Sequence, residues 1–402
     1  MKQTMLGSYG PWAEGLFGET PGKLSFRNKR WQDLQQWKQA ARIKVDELLA
    51  KPDMHYDGQA RLIGRWIHDG LDIEELAWNL PYGPETRALL LKPQGAPSQL
   101  PGILALHDHG AVKYFGKRKI VRTTDEIHPF VRRHQEEYYG GVGWANELAR
   151  RGYVVLVHDI FPFASRRILS ADVPPHVVER MMTPPLDIRE VKPEDALEAT
   201  GHAYDVPEDE RSEAIQVYNA FAAQHESIVA KSLFSAGLTW PGIFLAEDQY
   251  ALDYLCSRPD VDSQRIGCCG LSGGGLRTDY LGGLDDRISC SVSVGFMSTW
   301  RDFARDVSYT HTWMLYIPLL PRFMDFPEIL GLRAPLPALV QACSDDPLYT
   351  LSEVQRSGKI LREVYQKANA PEAFLFSLHD GPHKFDVPMQ KEAFNWLDRW
   401  LR

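Results

Sequence analysis

The stretch Ile266-Gly267-Cys268-Cys269-Gly270-Leu271-Ser272-Gly273-Gly274-Gly275-Leu276 constrains this chain more than any other. A short apolar run leads into Gly270-x-Ser272-x-Gly274, and a helix-like segment follows. The pattern marks a sharp strand-to-helix turn. Its serine takes a strained backbone conformation, and its glycines remove side chains that would strike the neighbouring strand and helix. The serine oxygen then stands at the C-terminal edge of a sheet, beside the positive end of the following helix. A plain Gly/Ser loop is the alternative for five letters alone. The polar turn over 258–265 and the downstream order Asp then His give the motif its context.

The rest of the chain reads as strands alternating with helices, which means a mostly parallel sheet covered on both faces. Buried strands are expected at 100–106, 152–159, 265–270, 288–295, 336–342 and 373–378. Helices are expected at 142–151, 242–257, 274–283, 352–368 and 387–401. The stretch 61–92 alternates around the turn Pro81-Tyr82-Gly83-Pro84 and predicts an antiparallel edge. Residues 1–55 read as an N-terminal helical extension, with Trp31, Leu34, Trp37, Ala41, Val45 and Leu48 at helical spacing over 28–49. Residues 56–402 read as the main domain. The Pro- and Glu-rich insertion at about 161–235, with helical patches near 188–200 and 209–230, is expected to form a cap over the active site.

A serine hydroxyl needs a base, and the base needs a group that fixes its tautomer. Among thirteen histidines, His383 in the Gly-Pro loop after the last strand is the preferred base, with His379 as fallback. The acid should follow the strand at 336–342. Asp346, before Pro347-Leu348, is preferred over Asp345. Developing oxyanion charge needs two backbone N–H donors, expected from Gly273 and from Ala111 in the loop His107-Asp108-His109-Gly110-Ala111. His107-x-His109 stops short of a metal-ligand pattern, so no metal is expected.

That loop continues with Lys113, Lys117, Arg118, Lys119, Arg122, Arg132 and Arg133. These form either a solvated face or a rim for an anionic substrate. His109, Trp240, His311 and Trp313 fall in stretches expected near the catalytic edge and are candidate substrate contacts.

Composition narrows the partners. With 402 residues, 44% hydrophobic and 24% charged, the chain can bury a large core. The formal net charge of −8 argues against nucleic acid. No apolar stretch is long enough to span a membrane. The first residues lack a signal-peptide core, which gives the expectation of a cytoplasmic protein. Five cysteines without ligand spacing fit free thiols in a reducing compartment, and adjacent Cys268 and Cys269 should face opposite sides of a strand.

Taken together, His107-Asp108-His109-Gly110, Arg258-Pro259-x-Val261-Asp262-x-x-Arg265-Ile266-Gly267, Gly270-Leu271-Ser272-Gly273-Gly274, Asp346-Pro347-Leu348 and Gly381-Pro382-His383 resemble an α/β-hydrolase of the dienelactone-hydrolase and acetyl-xylan-esterase-like branch, close to alpha/beta hydrolase family 7. The resemblance covers roughly 95–402. It departs at Ala111, where many relatives carry another glycine. It implies an α/β-hydrolase fold, a Ser272–Asp346–His383 triad, no cofactor, and a small-molecule ester substrate such as an acylated or anionic sugar. Two other readings are a serine peptidase of prolyl-oligopeptidase type and a non-catalytic binding protein. The first lacks its expected propeller repeat, and the second should lack one of the three groups.

Overall fold

Short apolar and alternating runs become the strands β1 (Arg61–His68), β2 (Leu71–Trp78), β3 (Thr86–Pro93), β4 (Leu100–Leu106), β5 (Val154–His158), β6 (Val261–Leu271), β7 (Ile288–Val294), β8 (Ala338–Cys343) and β9 (Phe374–His379). The structure, a computed structural model, describes residues 4–17, 21–55, 60–96, 99–182 and 212–402. Its nine strands form one sheet in the order β1-β2-β3-β5-β4-β6-β7-β8-β9. β1, β2 and β3 pair antiparallel, as does β3 with β5. From β5 to β9 every pairing is parallel. The chain moves outward from β4 to β5, then returns across β4 to β6. The strand order therefore reverses between β4 and β6, where open α/β sheets build their crevice.

Successive residues of the buried strands feed two cores. Leu104, Leu106 and Cys268 face one layer with Phe244 and Tyr280. Ile103, Ala105 and Cys269 face the other with Trp144 and Leu397. Cys268 and Cys269 thus point to opposite faces, as the period of two requires. All five cysteines are free.

Two helices differ from the sequence expectation. The N-terminal helix runs Leu34–Leu49, starting later than 28, because the Asp33 side chain caps it by accepting from the Gln36 N–H at 2.7 Å. Trp37, Ala41, Val45 and Leu49 are fully buried in the same cluster as the sheet, so this extension packs as part of the main core. A helix at Pro129–Tyr139 falls inside the stretch read as a basic loop. Its signals were present: the His128 ring accepts from the Phe130 N–H, Pro129 occupies the first turn, and Gly140 ends it at φ 65°.

Within the insertion, Pro175–Met182 and Ser212–Ser235 are helical. The patch expected near 188–200 lies outside the described residues. Ile215, Tyr218, Phe221 and Ala222 of Ser212–Ser235 pack on Val112, Tyr114, Phe115 and Val131. This helix therefore rests directly on the segment that follows β4.

Candidate active site

The elbow forms because β4 and β6 run side by side, with Leu106 opposite Gly270. The loops that leave both strands meet at the same edge of the sheet. Ser272 has φ 58° and ψ −120°, a backbone position that a side chain rarely adopts. Its N–H donates to Val294 O on β7 at 2.8 Å, and its carbonyl accepts from the Leu276 N–H at 2.9 Å, starting the helix Gly273–Leu284. A β-carbon at Gly274 would collide with the Leu106 carbonyl oxygen, and one at Gly270 would lie 2.6 Å from Gly274 C. Only glycine fits either position.

The loops after β8 and β9 supply the next two groups. His383 Nδ1 lies 2.6 Å from Asp346 Oδ2, while His383 Nε2 is buried with no hydrogen-bond partner among the described residues. Asp345 does something else: it accepts from the Gly381 N–H at 3.1 Å and donates its own N–H to Gly381 O at 3.0 Å, tying the two loops together. His379, the fallback base, is bonded to Glu392 Oε2 at 2.9 Å. Ser272 and His383 line one cavity of about 350 Å³, together with Gly273, His109, Ala111 and His311.

The oxyanion expectation needs one correction. The Ala111 N–H donates to His109 Nδ1 at 3.1 Å and is not free. The His109 amide nitrogen, by contrast, lies 2.9 Å from where a β-carbon on Gly273 would sit. The backbone of His109, rather than that of Ala111, borders Gly273. Gly110 and Ala111, which follow it, both have positive φ, 51° and 53°.

Part of the basic stretch is spent inside the fold, while Arg118 is exposed. Lys113 is paired with Glu226, Lys117 with Asp159 at 2.6 Å, and Lys119 with Asp108 at 3.3 Å. Arg122 bonds Gln135 at 2.8 Å. Each buried ammonium needs a carboxylate to offset its desolvation, so these charges face inward. Arg132 and Arg133 remain exposed on the helix Pro129–Tyr139.

The four candidate contacts separate. His109 and His311 line the cavity. Trp240 is buried outside it, 5.6 Å from Phe161 at the start of the helix Trp240–Ser257, and Trp313 packs on Tyr316 away from it. His311 is enclosed by Phe296, Phe303 and Tyr349. Burial brings its pKa down to about 4, Asp346 opposing and His383 adding to the fall. His107 and His109 are spent on different partners, the Asp108 carbonyl and Glu226. Among the described residues no group of three His, Cys, Asp or Glu could hold a metal ion.

Sequence reasoning missed Glu226, which reaches the cavity from the helix Ser212–Ser235. Its Oε1 bonds His109 Nε2 at 2.6 Å and also meets Lys113 Nζ, while its Oε2 accepts from Thr312 Oγ1 at 3.0 Å. Burial opposes its ionisation, but His109 and Lys113 outweigh that and hold the carboxyl well below the usual range. The signal was the Asn219, Ala222, Glu226 spacing, one stripe of a helix. Gly295 was missed too: at φ 60°, it leaves room for the His383 ring, whose Cε1 would lie 2.9 Å from a β-carbon there.

The strand order, the elbow after β6 and the acid and histidine after β8 and β9 define the α/β-hydrolase fold, and the chain has it. No family model matches the sequence. It is 23% identical over 330 residues to "Putative hydrolase YtaP" of Bacillus subtilis, covering 82% of this chain and 88% of that one. Among solved structures, it is similar to a "putative acetyl xylan esterase" from Bacteroides fragilis (TM-score 0.64, 17% identity, 92% of this chain and 82% of that one). It is also similar to a glucuronoyl esterase from Solibacter usitatus (TM-score 0.56, 12% identity, 95% and 97%).

Proposed function

We propose that the chain is a serine carboxylic-ester hydrolase that works through an acyl-enzyme and releases small acyl groups from carbohydrates or related hydroxylated metabolites. One observation carries the reading. His383 is tied through Nδ1 to Asp346 and lines the cavity that also holds the strained Ser272, its Nε2 without a hydrogen-bond partner among the described residues. The esterase neighbours support the bond type, and the sugar-ester names of two of them support the substrate class.

Ser272 Oγ attacks the ester carbonyl as His383 Nε2 takes its proton. Asp346 accepts the Nδ1–H, fixes the tautomer and stabilises the imidazolium. The N–H groups of Gly273 and His109 receive the oxyanion. Collapse expels the alcohol, which takes the proton from Nε2 and leaves an ester on Ser272. Water, deprotonated by His383, then releases the acid. A cavity of about 350 Å³ lies at the small end of ligand sites and favours a short acyl chain.

The test is burst kinetics with p-nitrophenyl acetate and longer acyl esters on wild type and Ser272→Ala. A burst that favours acetate and vanishes in the variant supports the proposal; turnover unchanged in Ser272→Ala removes it.

A further inference from the structure

The β4 loop carries strain and is tied down from more than one side. Gly110 and Ala111 are consecutive left-handed residues, and for Ala111 that conformation costs on the order of 1 kcal/mol or more. Lys119 steadies the loop from below, donating to the carbonyl oxygens of His109 at 3.1 Å and Val112 at 3.3 Å. Further ties come from the helix Ser212–Ser235.

Those ties form a single chain of bonds. Because His109 Nδ1 accepts from the Ala111 N–H, the ring proton sits on Nε2. That Nε2–H then donates to Glu226 Oε1. The same carboxylate oxygen receives the ammonium of Lys113, two residues past Ala111. Glu226 therefore grips the loop on both sides of its strained pair, and its other oxygen holds Thr312 on another wall of the cavity. Two turns earlier on the same helical stripe, Asn219 Oδ1 accepts from the backbone N–H groups of Lys113 at 2.9 Å and Tyr114 at 3.0 Å. The Lys113 ammonium also donates to Ala222 O at 3.3 Å. One face of the helix Ser212–Ser235 thus bonds the stretch at 109, 113 and 114, beside the ties from Lys119 and from the Ala164 N–H to Lys113 O at 2.8 Å.

We propose that Glu226 is a positioning residue for the oxyanion hole: through His109 and Lys113 it fixes the loop so that the His109 N–H meets the developing charge beside Gly273. The hole is then complete only with the helix Ser212–Ser235 seated. This rests on the ester-hydrolysis reading above. Glu226 does not itself stabilise the oxyanion, since a carboxylate would repel it. The ion pair with Lys113 neutralises that charge at the cavity wall.

Misplacing one donor by about an ångström costs on the order of 10²-fold in rate. The experiment compares wild type, Glu226→Ala and Glu226→Gln on p-nitrophenyl acetate. Each is also titrated with a methyl trifluoromethyl ketone, whose adduct puts an oxyanion in the hole, and with p-nitroacetanilide, the uncharged amide counterpart. In Glu226→Ala, kcat/KM and ketone affinity should fall together by roughly 10²-fold while amide affinity stays within about threefold. Glu226→Gln, which still offers His109 an acceptor, should recover most of the loss. Rate and ketone affinity within about threefold of wild type in Glu226→Ala overturn the proposal. So does an equal fall for ketone and amide, which is the mark of general disruption. If Glu226→Ala does not fold, Glu226→Asp is read by the same criteria, because it keeps the charge but withdraws it from His109. Ser272→Ala run alongside separates the two levels: unchanged turnover there removes the hydrolase reading, whereas lost turnover there with an unaffected Glu226→Ala removes only this inference.

Discussion

His383 Nδ1 and Asp346 Oδ2 lie 2.6 Å apart, although 37 residues separate them in the chain. β8 and β9 are parallel neighbours, with Cys343 opposite His379, so the loops that follow them leave the sheet side by side. The adjacent carboxylate of Asp345 secures that arrangement by holding the Gly381 N–H. Two neighbouring aspartates thus divide the work: one reaches the histidine and the other closes the loop that carries it.

This division can be read in mutants. Asp346→Asn keeps the shape but offers Nδ1 the wrong partner, and kcat on p-nitrophenyl acetate should fall roughly 10³–10⁴-fold. Asp345→Asn keeps an oxygen for Gly381 and should lose less than about tenfold. Similar losses in the two variants would mean that the histidine is not oriented by Asp346 alone.

Neighbouring glycines of the elbow should fail differently. In Gly274→Ala the new methyl group meets the backbone carbonyl of Leu106, which cannot yield without opening the β4–β6 pairing. Strong destabilisation, upward of about 3 kcal/mol, is expected in thermal or urea denaturation. In Gly273→Ala the methyl group meets the His109 amide at 2.9 Å, a loop contact outside the β4–β6 pairing. There the melting temperature should change little while kcat drops on the order of 10²-fold.

The buried His311 sets a pH dependence. Its folded pKa of about 4 lies below the unfolded 6.5, so the unfolded chain takes up a proton that the folded protein refuses. Stability is full above 6.5 and declines as pH falls from 6.5 towards 4, by up to about 3 kcal/mol. His311→Phe removes that proton uptake. Across the same interval, the wild-type melting temperature should fall faster than the variant's. Parallel curves would mean that His311 titrates in the folded protein as it does in the unfolded chain.

The framework was legible in the sequence because it rests on local signals. The Gly-x-Ser-x-Gly turn, the alternation of short apolar runs and helices, and the Gly-Pro-His loop each carry their own chemistry. What escaped depends on pairing between distant segments. Lys113, Lys117 and Lys119 read as a charged rim because their partners Glu226, Asp159 and Asp108 are assigned only by folding. Trp240 and Trp313 read as pocket aromatics because a loop's address does not give a side chain's direction. Ala111 looked free because nothing local shows that the His109 ring two residues back takes its N–H.

Arg277 gives a test in which stability and activity part. It lies on the elbow helix, 1% exposed. Its Nε bonds Asp248 Oδ2 at 3.1 Å, and its Nη2 meets Asp248 Oδ1 and His158 Nε2. Burial opposes the ionisation of Asp248, and Arg277 outweighs it. Removing the guanidinium leaves the buried carboxylate to the His158 ring, 3.0 Å from its Oδ1, so Arg277→Ala should cost about 3 kcal/mol. The double variant Arg277→Met, Asp248→Leu removes both charges and fills the space with apolar atoms, which should recover most of that loss. Arg277 Nη1 also lies 3.5 Å from the His107 carbonyl, at the root of the loop after β4. The double variant lacks that contact, so its kcat should stay below wild type even where its urea midpoint does not. If stability returns and kcat returns with it, the arginine serves the core alone; if neither returns, its tie to the loop matters more to folding than the ion pair does.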